Sequence, residues 1–297
     1  MIFLTGASGF VGRHLLNVLR NKSYKIRALI LPGEDIPIQA QNIEWVRGDI
    51  RHKGSLMDYF TEIETVLHLA GLVANHDEKS NYEINFKGTK NLVDLSREND
   101  IKKFLYMSAA AVKFKRLNAY GKTKKLAEDY VKAAGIPYVI VRTPLIIGKG
   151  CQEFERFHDY VNKLPKIVLV FGNGRAVKRP VYIEDVTTII SKIIEKVDLR
   201  NKTFEVSCKE SITVDDLINM VTALTGRRKY KIHVPLRFSI FIAQIMEKVF
   251  GSKSPISKDI LLGLNEDVDF DITDAIQILK FTPQKLTEAN LRKAVCR

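Results

Sequence analysis

The sequence predicts an α/β protein with a doubly wound parallel sheet, and two observations support this fold class. Over the first half of the chain, short apolar runs rich in β-branched residues alternate with amphipathic stretches. This alternation is typical of parallel strands whose connecting helices cover both faces of the sheet. In addition, the first apolar run, Ile2 to Leu4, leads directly into closely spaced glycines and then a helical pattern. A strand, a glycine turn and a helix in that order open many proteins of this class.

The alternation continues to about Gly148 and then weakens. The predicted strands are 2–5, 24–31, 43–46, 65–69, 103–107 and 138–142. The predicted helices between them are 10–20, 54–61, 81–98 and 120–134. Crossovers between parallel strands are right-handed, and these helices are expected to cover both faces of one sheet.

The second half of the chain is less regular, and segment 151–177 is expected to leave the sheet. Further strands are predicted at 181–183 and 203–206, and further helices at 184–197, 215–224 and 238–250. Gly226 is a typical residue to end the second of these helices. Helix 238–250 is strongly apolar. A role at a membrane surface is one interpretation of it, and packing in a core or as a lid is the favoured one.

The glycine turn, Thr5 to Gly12, has the spacing of a dinucleotide-binding turn. Gly6 permits the tight turn, Gly9 lets a pyrophosphate approach the backbone, and Gly12 lets the helix pack closely on the sheet. The N–H groups at the start of the helix and its dipole then face the phosphate charge. A plain turn is the alternative interpretation, but the flanking strand and helix favour the nucleotide.

Composition indicates a globular protein without a membrane span. Apolar residues make up 45% of the chain and the mean hydropathy is −0.08. We expect no secretion signal, because the N-terminus lacks a basic region before its apolar run. Three cysteines, Cys151, Cys208 and Cys296, are widely spaced and odd in number. This favours reduced thiols in a cytoplasmic protein over a disulfide framework or a metal site.

The net charge of +13 is concentrated in residues 101–132, which hold nine lysines and arginines against two acids. A solvated lysine-rich surface explains this stretch most simply. A positive field near a site for anionic ligands is the sharper interpretation. Nucleic-acid binding would rest on charge alone, since the stretch contains no nucleic-acid recognition motif. We therefore expect no nucleic-acid partner.

Tyr120 and Lys124 are four residues apart at the start of a predicted helix, so they lie on one helical face. A nearby ammonium favours the phenolate and lowers the pKa of a tyrosine. Such a tyrosine can exchange a proton with a hydroxyl or carbonyl oxygen. The pair is common on surface helices, and its significance comes from the nucleotide-binding turn and the βα units that precede it.

Several further motifs accompany this pair. They are Gly48–Ile50, His68–Gly71, Asn85–Thr89, Arg142–Pro144 followed by Gly148, and Val181–Val186. Together with the glycine turn and the Tyr–Lys pair, they resemble the extended short-chain dehydrogenases/reductases, the NAD-dependent epimerase/dehydratase family. The resemblance covers nearly the whole chain and implies a Rossmann-type fold.

The resemblance also implies roles for individual residues. Tyr120 would be the acid/base, Lys124 would hold the nicotinamide ribose, and a serine or threonine would share the substrate oxygen with Tyr120. The cofactor would be NAD or NADP. Its implied contacts are Gly6, Ser8, Gly9, Phe10, Val11, Gly12, Asp49, Ile50, Leu69, Ala70, Gly71, Tyr120, Lys124, Thr143 and Pro144.

Three departures from the family pattern limit these expectations. The position of the usual catalytic hydroxyl is Ala109, so Ser108 either fills the role with a small shift or only caps the strand. The loop from Ser108 to Tyr120 is shorter than in sugar-nucleotide epimerases. An acidic pair found in the family's dehydratases is replaced by Ala109 and Ala110, which argues against dehydration.

The substrate signals are mixed. Leu145 stands where sugar-nucleotide epimerases carry an Asn that contacts diphosphate. Lys178 aligns with the family's phosphate-binding arginine, and Arg179 lies beside it. A cation is therefore retained without the bidentate guanidinium at that position. The expected activity is that of an NAD(P)-dependent epimerase or 4-keto reductase of a nucleotide sugar. A reductase of a smaller carbonyl compound, as in dihydroflavonol-reductase-like members, is the alternative.

Cofactor choice stays open at this point. The predicted second strand ends at Leu31 without the acid that accepts a ribose 2′-hydroxyl. Glu34 and Asp35 follow slightly late, while Arg13 and Arg27 are cations that could meet a 2′-phosphate. Ala109 also keeps open a third interpretation, a protein that binds NAD(P) without turnover.

The expected domains are a dinucleotide-binding Rossmann domain over 1–150 with 178–207 returning to it, and a substrate-binding subdomain over 151–177 and 208–297. The resemblance further implies a homodimer formed by the two long helices, 81–98 and 120–134. A twofold axis is the commonest symmetry of such assemblies.

Overall fold

A parallel sheet of seven strands forms the centre of the molecule, as the sequence predicts. The structure is a computed structural model that describes residues 1–73, 77–226, 228–251, 254 and 257–295. In spatial order the strands are β3 (Ile43–Arg47), β2 (Ile26–Ile30), β1 (Ile2–Thr5), β4 (Thr65–His68), β5 (Lys103–Ala109), β6 (Tyr138–Thr143) and β11 (Lys202–Glu205). All neighbours pair in parallel, so the carboxyl ends of the strands meet at one edge.

Helices cover both faces of this sheet. The helices are α1 (Phe10–Leu19), α2 (Glu78–Asn81), α3 (Thr89–Glu98), α4 (Ala119–Ala133) and α6 (Ile183–Glu195). Helices α1 and α6 pack together over one apolar core, and α3 and α4 cover the other. The reversal of strand order between β1 and β4 leaves a crevice at the carboxyl edge, where ligands of open α/β sheets bind.

The remaining elements form short sheets and helices beyond the central sheet. They are β7 (Ile146–Ile147), α5 (Gln152–Asn162), β8 (Ile167–Phe171), β9 (Val177–Lys178), β10 (Val181–Tyr182), β12 (Ile212–Thr213), α7 (Val214–Leu224), β13 (Tyr230–Val234), α8 (Leu236–Phe250), α9 (Lys258–Asn265), α10 (Thr273–Leu279) and α11 (Glu288–Val295). The strands pair as β7 with β10, β8 with β13 and β9 with β12. Helices α5, α7 and α11 enclose an apolar cluster of their own.

Several predicted boundaries differ from the structure for local reasons. The predicted helix 54–61 is a 3₁₀-helix, Lys53–Phe60. The single helix predicted over 81–98 contains a π-helix, Tyr82–Gly88, between α2 and α3. Such π-helical turns within α-helices occur frequently at functional sites. The two residues of β10 pair with β7 and not with the central sheet.

Helix α8 forms where predicted, but the favoured expectation of core or lid packing is wrong. Most of its large apolar side chains are solvent-exposed, and Ser239 and Ala243 are its buried residues. Periodicity reports an apolar stripe and cannot tell which neighbour covers it. In the part of the chain that the structure describes, no helix has both the length and the apolarity to cross a bilayer.

Candidate functional site

The glycine turn between β1 and α1 has little room for side chains. Gly6 has φ +71°, and a Cβ there would lie 2.6 Å from the backbone nitrogen of Ala70. A Cβ on Gly12 would overlap the carbonyl oxygen of Gly6. At Gly9 the Cβ would meet Gly6 O at 3.2 Å and otherwise enter open space. Gly6 and Gly12 therefore shape the turn, while Gly9 keeps its outer surface bare.

The turn fits the diphosphate of a dinucleotide. Gly9 is the N-cap of α1, which has no side-chain cap and no acidic residue in its first turn. The helix dipole and the N–H groups of the first turn, at Phe10, Val11 and Gly12, are thus available to an anion. This backbone is the part of the chain that would hold the phosphates.

Glu34 reaches the same turn from the loop after β2. Its Oε2 accepts hydrogen bonds from Ser8 Oγ at 2.7 Å and from Leu31 N at 3.2 Å. Arg47 holds the loop by donating to the carbonyl oxygen of Glu34 at 2.9 Å. The carboxylate that follows β2 late in the sequence is therefore folded back beside the glycine turn.

Arg27 is placed away from this turn. Its guanidinium binds Glu44 and the carbonyl oxygens of Tyr59 and Thr61. It cannot meet a 2′-phosphate at the carboxyl end of β2 while it makes those bonds. Arg13 is exposed on α1.

Asp49 and Ile50, the predicted adenine contacts, follow β3. Both oxygens of Asp49 accept from Arg51, one from its backbone N–H and one from its guanidinium at 2.5 Å. The hydrogen bond from the Arg51 side chain holds the pKa of Asp49 below its ordinary value. Ile50 is buried against Gly88, where a Cβ would lie 2.6 Å from the Ile50 side chain. The adenine contact itself stays a prediction.

His68 joins β1, β4 and α3 through a chain of hydrogen bonds. The hydroxyl of Thr89 donates to Asn85 O, so it accepts from His68 Nε2–H at 2.8 Å. His68 Nδ1 then accepts from the hydroxyl of Thr5 at 2.8 Å, and Thr5 Oγ1 accepts from Ala70 N at 3.4 Å. Burial, and then the charge of Lys124, lower the pKa of His68 to about 3. The neutral ring therefore fixes the segment that contains Leu69, Ala70 and Gly71.

Lys124 lies at the centre of the site. Its side chain is buried, and Nζ donates to the carbonyl oxygen of Met107 at 2.6 Å. The ammonium lies 4.2 Å from the centre of the Tyr106 ring, and a Cβ on Gly71 would be 3.8 Å from it. Burial lowers the pKa of Lys124 to about 7, against the opposing charge of Glu128. A group with this pKa responds strongly to any anion that binds beside it.

Tyr120 lies one turn before Lys124 in the first turn of α4. The Asn118 side chain caps the helix by accepting a hydrogen bond from Gly121 N at 2.8 Å. This cap fixes the start of the helix and so the position of Tyr120. The lowered pKa expected for Tyr120 is not found: burial raises its pKa, and the carboxylate of Glu153 raises it further. Glu153, in the first turn of α5, was not predicted as part of the site. No sequence motif indicates it, because only the fold brings α5 towards α4.

Asn85 supports the backbone next to these residues. Its Oδ1 accepts from Leu72 N at 2.7 Å, and its Nδ2 donates to Leu72 O and to Asn81 Oδ1. The asparagine belongs to the π-helix and is buried. It fixes the chain immediately after Gly71.

Ser108 and Ala109 occupy opposite faces of β5, because side chains alternate along a strand. Ser108 is buried, and among the described residues its hydroxyl has no partner at good hydrogen-bond geometry. It lies near Glu128, whose pKa is lowered by Arg142 and Ser108 although burial acts to raise it. Ser108 thus faces the middle of α4, one turn beyond Lys124. Ala109 pairs in register with Thr143 on β6.

Thr143 and Pro144 follow at the end of β6. Thr143 is buried, and its hydroxyl donates to Ser108 O at 3.4 Å. The predicted cofactor contacts that follow β4 and those at the end of β6 therefore lie at one edge of the sheet, the edge at which Lys124 donates to Met107 O of β5.

The two predicted substrate cations bind backbone oxygens. Lys178 donates to Gly263 O at 3.1 Å and to Glu266 O at 2.5 Å. Burial lowers its pKa to about 8. Arg179 donates to Phe270 O at 2.9 Å, and its Nε is buried without a partner in the described structure. Both cations thus hold the end of α9 and the segment that follows it, and their role toward a substrate stays a prediction.

Metal-ligand groups are not clustered in the described residues. Cys151 and Cys208 are buried free thiols, and burial raises the pKa of each to about 12. They are therefore inert at neutral pH. Cys296 lies outside the described residues.

Comparison with known proteins adds the following. A family model described as the NAD dependent epimerase/dehydratase family matches residues 2–207. Ceramide reductase of Caulobacter vibrioides is 26% identical over 186 residues, which are 62% of this chain and 58% of that protein. A putative UDP-glucose 4-epimerase of Methanocaldococcus jannaschii is 26% identical over 262 residues, 77% of this chain and 83% of that protein. The chain thus spans little more than half of the first relative.

The fold also matches solved structures over nearly the whole chain. UDP-glucuronic acid 4-epimerase from Bacillus cereus, determined with UDP-glucuronic acid and NAD, has a TM-score of 0.77 and 22% identity. The match covers 99% of this chain and 96% of that chain. At this identity the likeness establishes a shared architecture.

Proposed function

Since the chain belongs to the NAD-dependent epimerase/dehydratase family, we propose that it is an NAD-dependent oxidoreductase or epimerase acting at a hydroxyl or carbonyl centre. The observation that carries this proposal is the buried Lys124 ammonium, bonded to Met107 O, with Tyr120 one turn before it on α4. A bound nicotinamide would supply the hydride chemistry. The protein's part is to orient the substrate and move a proton.

The proton steps follow from the charges. Without an anion, burial holds the pKa of Lys124 near 7 and raises that of Tyr120. Negative charge at the glycine turn favours the Lys124 ammonium, and the ammonium in turn favours ionisation of Tyr120. Tyr120 would then accept a proton from a substrate hydroxyl, or return it to a carbonyl oxygen in reverse.

Glu34 supports NAD over NADP. Its carboxylate lies on Ser8 at the turn, where it can accept from a ribose 2′-hydroxyl and would repel a 2′-phosphate. The fold supplies from a later loop the acid that is missing at the end of β2.

Replacing Tyr120 by Phe tests the proposal. Tyr120→Phe should leave dinucleotide affinity nearly unchanged and lower turnover by about 10²–10⁴-fold, the usual contribution of positioned proton transfer. Lys124→Met should weaken both, because Lys124 is assigned to the ribose and to Tyr120. Tyr130→Phe, which removes a hydroxyl from the same helix, is the control.

The assay uses a panel of nucleotide sugars, and mass spectrometry identifies any nucleotide that copurifies. NAD held through purification points to an epimerase, which must keep its cofactor through a redox cycle. Full activity in Tyr120→Phe would contradict the assigned chemistry. Binding without turnover on every substrate class would favour the non-catalytic alternative that Ala109 keeps open.

A reductase of a carbonyl compound without a diphosphate is the second candidate. The engagement of Lys178 with two backbone oxygens favours it, since the ammonium already donates to Gly263 O and Glu266 O and not to a phosphate. The name of the Caulobacter relative, a ceramide reductase, agrees with such a substrate. Oxidation of NADH with a panel of ketones and aldehydes, compared with nucleotide sugars, separates the two.

We also propose that the protein is a cytoplasmic homodimer formed through α4 and the helical segment 81–98, which comprises the π-helix and α3. Support for the dimer comes from exposed apolar side chains on this surface, Tyr82 and Leu126. The buried free thiols of Cys151 and Cys208 support a reducing compartment.

A further inference from the structure

Helix α8 buries two small side chains, while most of its large apolar side chains face solvent. Ser239 and Ala243 face the protein and are buried. The side chains that face solvent, with their exposed fractions, are Phe238 57%, Phe241 58%, Ile242 37%, Ile245 48% and Val249 68%. These five positions recur at helical spacing and form one stripe. We name them the outer stripe of α8. An ordinary surface helix shows the opposite arrangement.

The charges beside the outer stripe are positive. Arg237 and Lys248 are the exposed charged residues of α8, and their spacing of eleven residues, about three turns, places both along one border of the stripe. The acidic residue of the helix, Glu247, is half-buried on the inner side. Its carboxylate accepts from Lys258 N at 3.3 Å, at the start of α9.

These two observations identify the chemistry of the partner: an apolar surface that also carries negative charge. A second copy of the chain does not match, because twofold pairing brings Arg237 and Lys248 near the same cations of the other copy in a protein of net charge +13. We propose that the outer stripe of α8 docks on a lipid bilayer that contains anionic lipids. The helix, about 22 Å long, is too short to span a bilayer and lies in the plane of the interface.

The docked helix is close to the catalytic helix. Helix α8 packs on α9, and Asp259 of α9 accepts a hydrogen bond from Ala119 N at 3.1 Å, at the first residue of α4. Tyr120 is the next residue. Docking therefore holds this side of the candidate site near the membrane surface.

Vesicle cosedimentation tests the proposal independently of any enzymatic activity. We expect the full-length protein to pellet with vesicles of phosphatidylcholine and phosphatidylglycerol in equal amounts, and to stay in solution with phosphatidylcholine alone. Phe238→Gln/Phe241→Gln should lower binding by roughly tenfold or more, because two buried aromatic side chains are lost. Met57→Gln/Val197→Gln, which replaces two exposed apolar residues elsewhere, is the matched control and should bind like the wild type.

A fluorescence measurement tests whether the outer stripe itself enters the bilayer. The wild-type chain has one tryptophan, Trp45, whose indole N–H donates to Ile38 O. Ile245→Trp adds a reporter on the stripe, and its emission should shift to shorter wavelength with anionic vesicles, whereas the wild-type emission should not. Equal binding of the wild type and the α8 variant, or no shift in Ile245→Trp, would overturn the proposal. So would a wild-type dimer that binds no vesicles and becomes a monomer in the α8 variant.

Discussion

The position of one hydroxyl along β5, at Ser108 and not at Ala109, decides which face of the strand carries it. The sequence places the only hydroxyl of this segment one residue before the usual one, and a strand turns adjacent side chains to opposite faces. In the structure Ser108 faces Glu128, while Ala109 lies beside Thr143 at the strand ends. A small shift of Ser108 into the catalytic role would require the strand register to change.

Exchanging the hydroxyl between these two positions tests this conclusion. Ser108→Ala should change turnover little, because its hydroxyl faces the middle of α4. Ala109→Ser should raise turnover by roughly tenfold or more, since a donor near the substrate oxygen stabilises developing charge. Both rates are measured on the substrate found in the panel, and thermal unfolding checks that the variants fold alike. A large loss in Ser108→Ala would show that Ser108 does reach the substrate.

The glycine turn was predictable from the sequence because all its determinants lie within eight residues. Glu34 was visible as an acid that follows β2 slightly late, but its contact with Ser8 depends on how the loop folds back. Glu153 was not predictable as a neighbour of the site, since only the packing of distant elements brings it there. The outer stripe of α8 shows the same limit. The helical spacing of its apolar residues was visible in the sequence, but whether they face the core or solvent was not.

The glycines of the turn should separate binding from folding. Gly9→Val should leave the protein folded and lower dinucleotide affinity at least about tenfold, a change of ~1.4 kcal/mol, because its side chain enters the open space outside the turn. Gly12→Ala should instead lower the free energy of unfolding by about 2 kcal/mol or more, since its Cβ overlaps Gly6 O. Calorimetry measures the first and denaturant unfolding the second. Unchanged affinity in Gly9→Val would contradict the phosphate assignment.

At the scale of the whole molecule, most of the lysine charge on α3 and α4 is locally compensated. Lys90 binds Asp94 at 2.6 Å, Lys125 binds Asp129 at 2.6 Å, and Lys132 lies 3.5 Å from Glu128. Without these partners, the like charges of the lysines would repel one another across a twofold axis. These pairs reduce the obstacle to dimerisation through this surface.

Light scattering over a broad concentration range measures the assembly. The wild type should have the mass of a dimer, and Leu126→Asp should be monomeric. The free energy needed to bury an unpaired carboxylate in an apolar interface exceeds the stabilisation that this contact provides. Val197→Asp, at a residue that is 82% exposed, is the control and should remain dimeric. A monomeric wild type at every concentration would refute this arrangement.

The hydrogen-bond chain through His68 has a consequence for spectroscopy. One end of the chain, Ala70 N–H, can only donate, and the other end, Asn85 O, can only accept. Together they allow one tautomer of the ring, with the proton on Nε2. Because its pKa is about 3 when folded and near 6.5 when unfolded, His68 takes up a proton only as the protein opens, so stability falls as the pH drops below about 6.5. In an NMR titration, the chemical shifts of the His68 ring should therefore stay constant until the molecule unfolds. Their change then reports acid denaturation directly.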